Sequence, residues 1–299
     1  MVVKLRPSAA DVHAHALRSG AYHREIGAYR EVSGRQACRI PQCYWVAGDE
    51  TNINLVMEDL TQTTTPGDQV AGCGVAETES VVTELARLHS SFYPLTDDTA
   101  PSWLIRMSEV SGYWSDAAER GTPAVLTRFA EDLPPDFLAT IADGAALVRT
   151  WYALPQQHLT LTHGDPRVDN VLFENSDAGV SAVLLDWQVT GLRNPMYDFG
   201  YFMSGSVDVT ERRLHETRLL KRYIEVFAEK SSGYDEHQAT ADYRIQLLSG
   251  LYVTLAAVAV LPDNDVVNRL ILALLQRNCA AAADWNSIEA LRDLTASRH

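Results

Sequence analysis

The sequence has 299 residues, of which 46% are hydrophobic, so it can bury a full core as one bilobal unit or as two unequal domains. It carries 25 Lys and Arg against 39 Asp and Glu, a formal net charge of −14. This balance argues against a nucleic-acid partner, because such binding relies on cationic side chains that neutralise phosphates. A cationic or neutral small ligand suits an acidic chain better.

Neither a membrane segment nor a secretion signal is expected. The longest apolar run, Leu247 to Leu261, is interrupted by Ser249, Gly250 and Thr254 and closed by Pro262, which is typical of a buried helix. The four cysteines form no C-x-x-C pair, so the sequence predicts neither a structural zinc site nor a disulfide framework. We therefore expect a cytoplasmic protein.

The first part of the chain predicts a small β-rich unit over residues 1–60. Val2–Leu5 has the pattern of a strand, and Asp11 to Glu31 has the spacing of one helix. Strands around Cys43–Val46 and Ile53–Met57 are joined by a turn-prone segment and predict a hairpin. The Thr, Gly and Pro content of residues 61–74 predicts a loop, which we take as the boundary between two lobes.

Residues 61–299 predict a larger and mainly helical unit that encloses a small sheet. The helical segments are residues 77–92, 103–120 and 135–151, followed from residue 210 to residue 296 by one helix after another. The strands lie between these groups, at residues 159–162, 171–173 and 182–185. The fold class that follows is α+β.

One polar loop between apolar strands carries the strongest chemical signal. It begins with His163, Gly164 and Asp165, and Asn170 follows five residues after Asp165. Phosphoryl transfer needs a carboxylate that accepts the proton of the attacking hydroxyl and an oxygen ligand for magnesium close by. Asp165 and Asn170 can supply these two functions from a single loop.

A second carboxylate stands at hairpin distance from this loop. Asp186 ends the apolar strand pattern that includes Leu184 and Leu185. Magnesium is commonly held by one or two protein oxygens together with substrate phosphates and water. Asn170 and Asp186 are therefore the predicted metal ligands, and Asp165 is the predicted catalytic base.

The order of these motifs resembles the catalytic core of the aminoglycoside phosphotransferase and choline kinase superfamily. In that group Gly replaces the Arg of the protein-kinase loop motif, as Gly164 does here, and the magnesium Asp precedes an aromatic and a polar residue, as Asp186 does. The stretch from Asp186 through Asp198 to Tyr201 looks especially like uncharacterised bacterial phosphotransferases and ecdysteroid kinase-like proteins. The resemblance implies a protein-kinase-like bilobal fold with a small β-rich lobe and a large helical one.

The resemblance also implies roles for residues outside the polar loop. Lys4 would contact the nucleotide phosphates, and Glu25 would pair with Lys4. The segment that includes Glu58 and Leu60 resembles the hinge whose backbone binds the adenine. Asp198 would anchor the catalytic loop by hydrogen bonds, whereas His89 is expected to be a packing or surface residue.

The sequence departs from the superfamily at its start. Members begin with two strands and a glycine-containing loop that covers the triphosphate, whereas Lys4 is almost the first residue here. We expect that either this chain is a truncated form of a protein that continues before Met1, or the protein works poorly or not at all as a kinase. Reduced nucleotide affinity of this chain is expected as well. An unpaired sheet edge beside Val2–Leu5 is a further expectation.

The leading functional hypothesis is a magnesium-dependent kinase that transfers the γ-phosphoryl group of ATP or GTP to the hydroxyl of a small molecule. Glu211, Glu216, Glu225 and Asp235 would suit a cationic acceptor, although they equally describe a solvated helix face. The alternative is a nucleotide-binding pseudokinase or scaffold. Protein-kinase activity is disfavoured by Gly164 and by the lack of an Ala-Pro-Glu segment after Asp186. The oligomeric state is left open.

Overall fold

A computed structural model of the chain describes residues 1–177 and 179–296. Three strands, β1 (Val2–Leu5), β2 (Cys43–Gly48) and β3 (Ile53–Met57), form an antiparallel sheet in the order β1-β3-β2. The predicted hairpin is confirmed, and β1 lies at an edge of the sheet with the side chains of Val3 and Leu5 exposed. Among the described residues, no helix is both long enough and apolar enough to cross a bilayer.

The single helix predicted from Asp11 to Glu31 is wrong, because the chain turns at Gly20. Two helices form instead, α1 (Ala10–Ser19) and α2 (Ala21–Arg35). Gly20 adopts a left-handed conformation with φ of +67°, and its amide bonds the carbonyls of Ala16 and Leu17, which terminates α1. The apolar spacing continues across the break, so it could not reveal that the backbone changes direction.

Helix α3 (Val75–Phe92) connects the first sheet to the rest of the molecule. Its apolar face, which includes Val81 and Leu85, shares one core cluster with Leu55 of β3 and with Leu184. These side chains are fully buried. The two lobes are therefore joined through a continuous apolar core rather than by a linker alone.

The next helices differ from their predicted bounds. Residues 103–120 were expected to be helical, but a two-residue strand, β5 (Ile105–Arg106), precedes α4 (Met107–Arg128). The helix predicted over 135–151 is two helices, α5 (Pro135–Ala145) and α6 (Val148–Tyr152), because Leu147 leaves helical geometry.

Two further three-stranded sheets hold the polar loop. They contain β4 (Thr64–Pro66), β6 (Thr160–Thr162), β7 (Val171–Ser176), β8 (Gly179–Leu184) and β9 (Gly191–Arg193), with a short 3-10 helix at Val168–Asn170. One sheet has the order β4-β7-β8, and the other has the order β5-β9-β6 with β5 parallel to β9. The three predicted strands are confirmed, whereas β4, inside the expected loop 61–74, and β9 were not predicted.

The C-terminal part is helical, as expected. Its helices are α7 (Met196–Ser206), α8 (Val209–Ala228), α9 (Glu236–Gln246), α10 (Leu248–Val258), α11 (Asp265–Asp284) and α12 (Ser287–Ala296). Helices α4, α5, α10 and α11 build a second apolar core around residues such as Leu251 and Leu275. The α+β class with a small β lobe and a larger helical lobe is confirmed, and a domain boundary at residue 60 stays a prediction.

Candidate active site

The loop that carries the predicted base depends on a glycine. Gly164 lies between His163 and Asp165 with φ of +89°, a region that residues with a Cβ rarely occupy. A Cβ at this position would also collide with the carbonyl oxygen of Val189. Glycine thus allows the loop to approach the backbone after Asp186 closely.

Asp198 of α7 fixes the start of this loop. One of its oxygens, Oδ2, accepts from the His163 amide at 2.6 Å and lies 3.0 Å from His89 Nε2, while Oδ1 accepts from the Gly164 amide at 2.9 Å. Burial opposes ionisation of Asp198, but the hydrogen bond with His89, the nearby histidines and the Gly164 amide outweigh it and lower its pKa. The implied anchoring contact is therefore present, and His89 takes part in it rather than only filling space.

Asn170 holds the carboxylate of Asp165 from the other side. Its Nδ2 donates to the backbone oxygen of Asp165 at 2.9 Å and to Oδ2 at 3.1 Å. The remaining oxygen, Oδ1, is buried and has no hydrogen-bond partner among the described residues. Asp165 thus has one oxygen held in place and one available to a substrate.

Asp186 is brought to the same place by β-sheet contacts. The amide of Leu185 donates to the carbonyl of Asn170 at 2.9 Å, and the carbonyl of Leu185 lies 2.7 Å from His163 Nε2. Asp186 itself has φ of +62°, an uncommon conformation for a residue other than glycine. Its Oδ1 is buried without a hydrogen-bond partner within residues 1–177 and 179–296.

The side chains of Asn170 and Asp186 fit a magnesium site. Mg²⁺ prefers a few oxygen ligands from the protein together with phosphate and water oxygens, and Asp186 offers a buried carboxylate oxygen that has no hydrogen-bond partner among the described residues. Among the described residues, no group of three or more His, Cys, Asp or Glu side chains could hold a metal by itself. A metal here would therefore complete its coordination with the oxygens of a bound triphosphate.

Lys4 and Glu25 meet as the resemblance implies. Lys4 Nζ, on β1, lies 2.6 Å from Glu25 Oε1 on α2, and the Glu25 side chain is only 2% exposed. Burial raises the pKa of Glu25, an effect that the charge of Lys4 opposes. Lys4 Nζ also lies 4.0 Å from Asp186 Oδ1, so the pair borders the candidate metal position.

The predicted hinge follows β3 directly. Met57 is the last residue of β3, and the Glu58 amide donates to the carbonyl of Gln42 at 2.9 Å. The Glu58 carboxylate pairs with Arg39 at 2.9 Å. Leu60 is buried, and its carbonyl accepts from the amides of Thr63 and Thr64. Adenine binding by Glu58 and Leu60 stays a prediction.

A cavity of about 150 Å³ opens beside Asp165, between α7, α10 and α11. Two of the residues that line it, Arg167 and Asn278, were not singled out from the sequence. Arg167 Nε lies 3.6 Å from Asp165 Oδ2. Arg167 could have been identified from the sequence, because it lies inside the loop motif that contains Asp165. Asn278 could have been noticed as a polar residue on the apolar face of α11 that contains Ile271 and Leu275.

Comparisons with known proteins agree with this architecture. The model of the ecdysteroid kinase-like family matches residues 136–233, which include Asp165, Asn170, Asp186 and Asp198. A choline/ethanolamine kinase family protein from Mesorhizobium loti superimposes with a TM-score of 0.52 at 14% identity, covering 91% of this chain and 83% of that one. The chain has the fold of the aminoglycoside phosphotransferase and choline kinase superfamily.

Two other solved structures of this superfamily fold match over most of their length. An ethanolamine kinase from Plasmodium vivax has a TM-score of 0.50 at 12% identity, with 85% of this chain and 71% of that chain covered. An aminoglycoside 2'-phosphotransferase-IIIa, solved as a GDP complex, has a TM-score of 0.50 at 16% identity, with 99% and 87% covered. No curated protein sequence matches the chain. The predicted resemblance is confirmed for the fold.

Proposed function

We propose that the protein transfers the γ-phosphoryl group of ATP or GTP to a hydroxyl group of a small molecule. The observation that carries this proposal is the placement of three groups around one loop. Asn170 contacts Asp165 at 2.9 and 3.1 Å, and Asp186 lies one residue from the Leu185 amide that bonds the Asn170 carbonyl. Oδ1 of Asp165 and Oδ1 of Asp186, which have no hydrogen-bond partner among the described residues, are the atoms that a hydroxyl and a metal would use.

In this proposal each polar group has one role. Asp165 Oδ1 accepts the proton of the acceptor hydroxyl as its oxygen bonds to the γ-phosphorus, and the bond from that phosphorus to the β-phosphate bridging oxygen breaks. Lys4, oriented by Glu25, binds the phosphates, while Asn170 and Asp186 hold Mg²⁺. Bound Mg²⁺ supplies positive charge that stabilises the triphosphate and its leaving group. Arg167, beside Asp165, adds positive charge at the acceptor side.

The structural relatives support nucleotide use and a small acceptor without identifying either one. One relative was solved with GDP, and the names of the relatives include choline/ethanolamine kinase and aminoglycoside phosphotransferase. None of the four acidic residues considered for a cationic acceptor lines the cavity beside Asp165. Glu216 instead pairs with the buried Arg212 at 2.9 Å, and Asp235 caps α9 by accepting from the Gln238 amide.

The activity can be tested with ATP and GTP that carry a labelled γ-phosphate, offered with a panel of neutral and cationic alcohols. We expect labelled phosphate on at least one alcohol when Mg²⁺ is present and none when EDTA is added. Nucleotide labelled at the α-phosphate is the matched control, since its label should stay on the nucleotide.

The alternative, a nucleotide-binding protein without transferase activity, gives a different result in the same preparation. Calorimetry would then show Mg²⁺-dependent nucleotide binding, while no alcohol in the panel became labelled. That outcome would overturn the proposed activity and favour a pseudokinase.

A further inference from the structure

The cavity beside Asp165 is lined mostly by apolar side chains and also by two charged ones. Most of its lining is apolar and comes from α10 and α11, including Val253, Ala257, Ile271 and Leu274. Its charged lining residues, within the part of the chain that the structure describes, are Asp165 and Arg167. The Arg167 guanidinium lies 3.6 Å from Asp165 Oδ2 and 3.5 Å from Asp169 Oδ2. The cavity therefore offers a small, mostly apolar volume whose lining carries one charge of each sign.

Asn278 places a hydrogen-bond acceptor in this apolar wall. The residue is 1% exposed, and its Oδ1 is buried without a partner among residues 1–177 and 179–296. A buried polar atom of this kind is costly unless a ligand or water satisfies it. The oxygen is thus an unoccupied acceptor in the wall of a cavity that also contains the predicted base.

The orientation of the Asn278 amide is fixed by its neighbours. The hydroxyl of Thr254 donates to the Gly250 carbonyl at 2.8 Å, so its oxygen can only accept from Asn278 Nδ2, which lies 3.0 Å away. The opposite end of the amide must therefore be Oδ1. A Cβ at residue 250 would lie 2.5 Å from this oxygen, so only a glycine there lets Asn278 pack this closely against α10.

The size and polarity of the cavity select among alcohols. An apolar cavity of about 150 Å³ accepts one benzene ring, and the volume beside Asp165 is about 150 Å³. A cation would enter a cavity whose lining holds the Arg167 guanidinium beside a single carboxylate, and a cation is costly to desolvate where no further anion lines the wall. A neutral body of single-ring size avoids that cost.

We propose that the acceptor is a small neutral alcohol with an apolar body of about one ring and a second hydrogen-bond donor, which Asn278 Oδ1 binds while Asp165 receives the reacting hydroxyl. This inference rests on the proposed phosphotransferase function and deepens it. Asn278 is then a specificity-determining residue contributed by α11. The cationic acceptor considered from the sequence is not supported by the lining of this cavity.

Ring compounds built on one cyclohexane scaffold test the inference. They are the isomeric cyclohexane diols, cyclohexanol, methylcyclohexanol, and the amino alcohol in which an ammonium replaces one hydroxyl. Binding is measured by calorimetry without nucleotide, and transfer is measured as labelled phosphate on the alcohol. We expect at least one diol to exceed methylcyclohexanol by about tenfold or more in kcat/KM and in affinity, because the diol has a second hydroxyl that donates to Asn278 and methylcyclohexanol has none. The ammonium compound should be weaker than that diol.

Variants of Asn278 test whether this residue causes the preference for the diol. Asn278→Leu keeps a similar volume but removes the acceptor, so the preference for the diol over methylcyclohexanol should disappear. Asn278→Asp keeps an acceptor and adds negative charge, which should move the preference towards the ammonium compound. Gln276→Leu is the matched control, since Gln276 is an exposed amide on the same helix.

The outcomes separate the two proposals. If the wild type phosphorylates alcohols but prefers the ammonium compound, or if Asn278→Leu leaves the diol preference unchanged, the inference about Asn278 is wrong while the kinase function stands. If the diol binds through Asn278 but no alcohol is ever phosphorylated, the kinase function is wrong while the binding site stands. If no ring compound binds, the inference is overturned whether or not the protein is a kinase. If a variant of Asn278 fails to fold, the inference is decided by comparing the ligands on the wild-type protein.

Discussion

Lys4 Nζ lies 2.6 Å from Glu25 Oε1 and 4.0 Å from Asp186 Oδ1, so one cation is shared between a buried carboxylate and the candidate metal ligand. The pair joins β1 to α2 at the edge of the cleft. If Lys4 binds nucleotide phosphates, its loss should affect both nucleotide use and the stability of the small lobe. These two effects can be separated.

We expect Lys4→Met to lower kcat/KM for the nucleotide by roughly tenfold to a hundredfold and also to destabilise the fold, because Glu25 is left buried without its partner. The double variant Lys4→Met/Glu25→Gln should recover most of the unfolding free energy but none of the activity. Lys230→Met, at an exposed position, is the control. Equal activity of the double variant and the wild type would remove Lys4 from the site.

Gly164→Ala should be strongly harmful because of its backbone conformation. With φ of +89° and the Val189 carbonyl in the path of a Cβ, we expect a loss of about 2 kcal/mol or more of unfolding free energy and a large loss of activity. Gly112→Ala is the matched control, since a Cβ there meets nothing within 4 Å and Gly112 lies inside α4. Gly112→Ala should raise the unfolding free energy by about 0.5–1 kcal/mol. Equal denaturation curves for the two variants would show that the loop tolerates a side chain.

The lowered pKa of Asp198 predicts that the stability of the protein depends on pH. Its folded-state pKa lies below the ordinary value of 3.8, so its contribution is present above pH 3.8 and is lost as the pH falls through the folded pKa. Asp198→Asn should lower the unfolding free energy by about 2–4 kcal/mol at neutral pH. The reason is that the hydrogen bonds from His89, His163 and Gly164 to the Asp198 carboxylate are lost or weakened. Urea denaturation at several pH values measures this difference.

The difference in unfolding free energy between wild type and Asp198→Asn should shrink as the pH is lowered below 3.8. Asp293→Asn, at an exposed position of α12, should show no such difference at any pH. A difference that stays constant as the pH falls below 3.8 would mean that folding does not lower the pKa of Asp198.

The parts of the site that are close in sequence could be predicted from it, because one loop and one hairpin fix their relative positions. Asp165 and Asn170 are five residues apart, and Asp186 follows at the end of the strand that pairs with β7. Lys4 and Glu25 were assigned only through the resemblance. The structure shows their contact, whereas their role in nucleotide binding stays a prediction.

Other features depend on tertiary contacts that local patterns do not encode. Strands β4 and β9 have only three residues each, too few for an alternating pattern, and they form because β7 and β6 offer backbone partners. Gly20 ends a helix inside an uninterrupted amphipathic pattern. Asn278 reaches the cavity of Asp165 only because α11 packs against α7 and α10.

The central claim is that Asp165 accepts the proton of the acceptor hydroxyl, and single-turnover transfer of labelled γ-phosphate by Asp165→Asn tests it most directly. We expect the rate to fall by about a hundredfold or more, while the melting temperature and the Kd for Mg-nucleotide stay close to the wild-type values. Asp132→Asn, which changes an exposed aspartate, should transfer phosphate like the wild type. Equal transfer rates for Asp165→Asn and the wild type, with any alcohol that the wild type accepts, would contradict the claim.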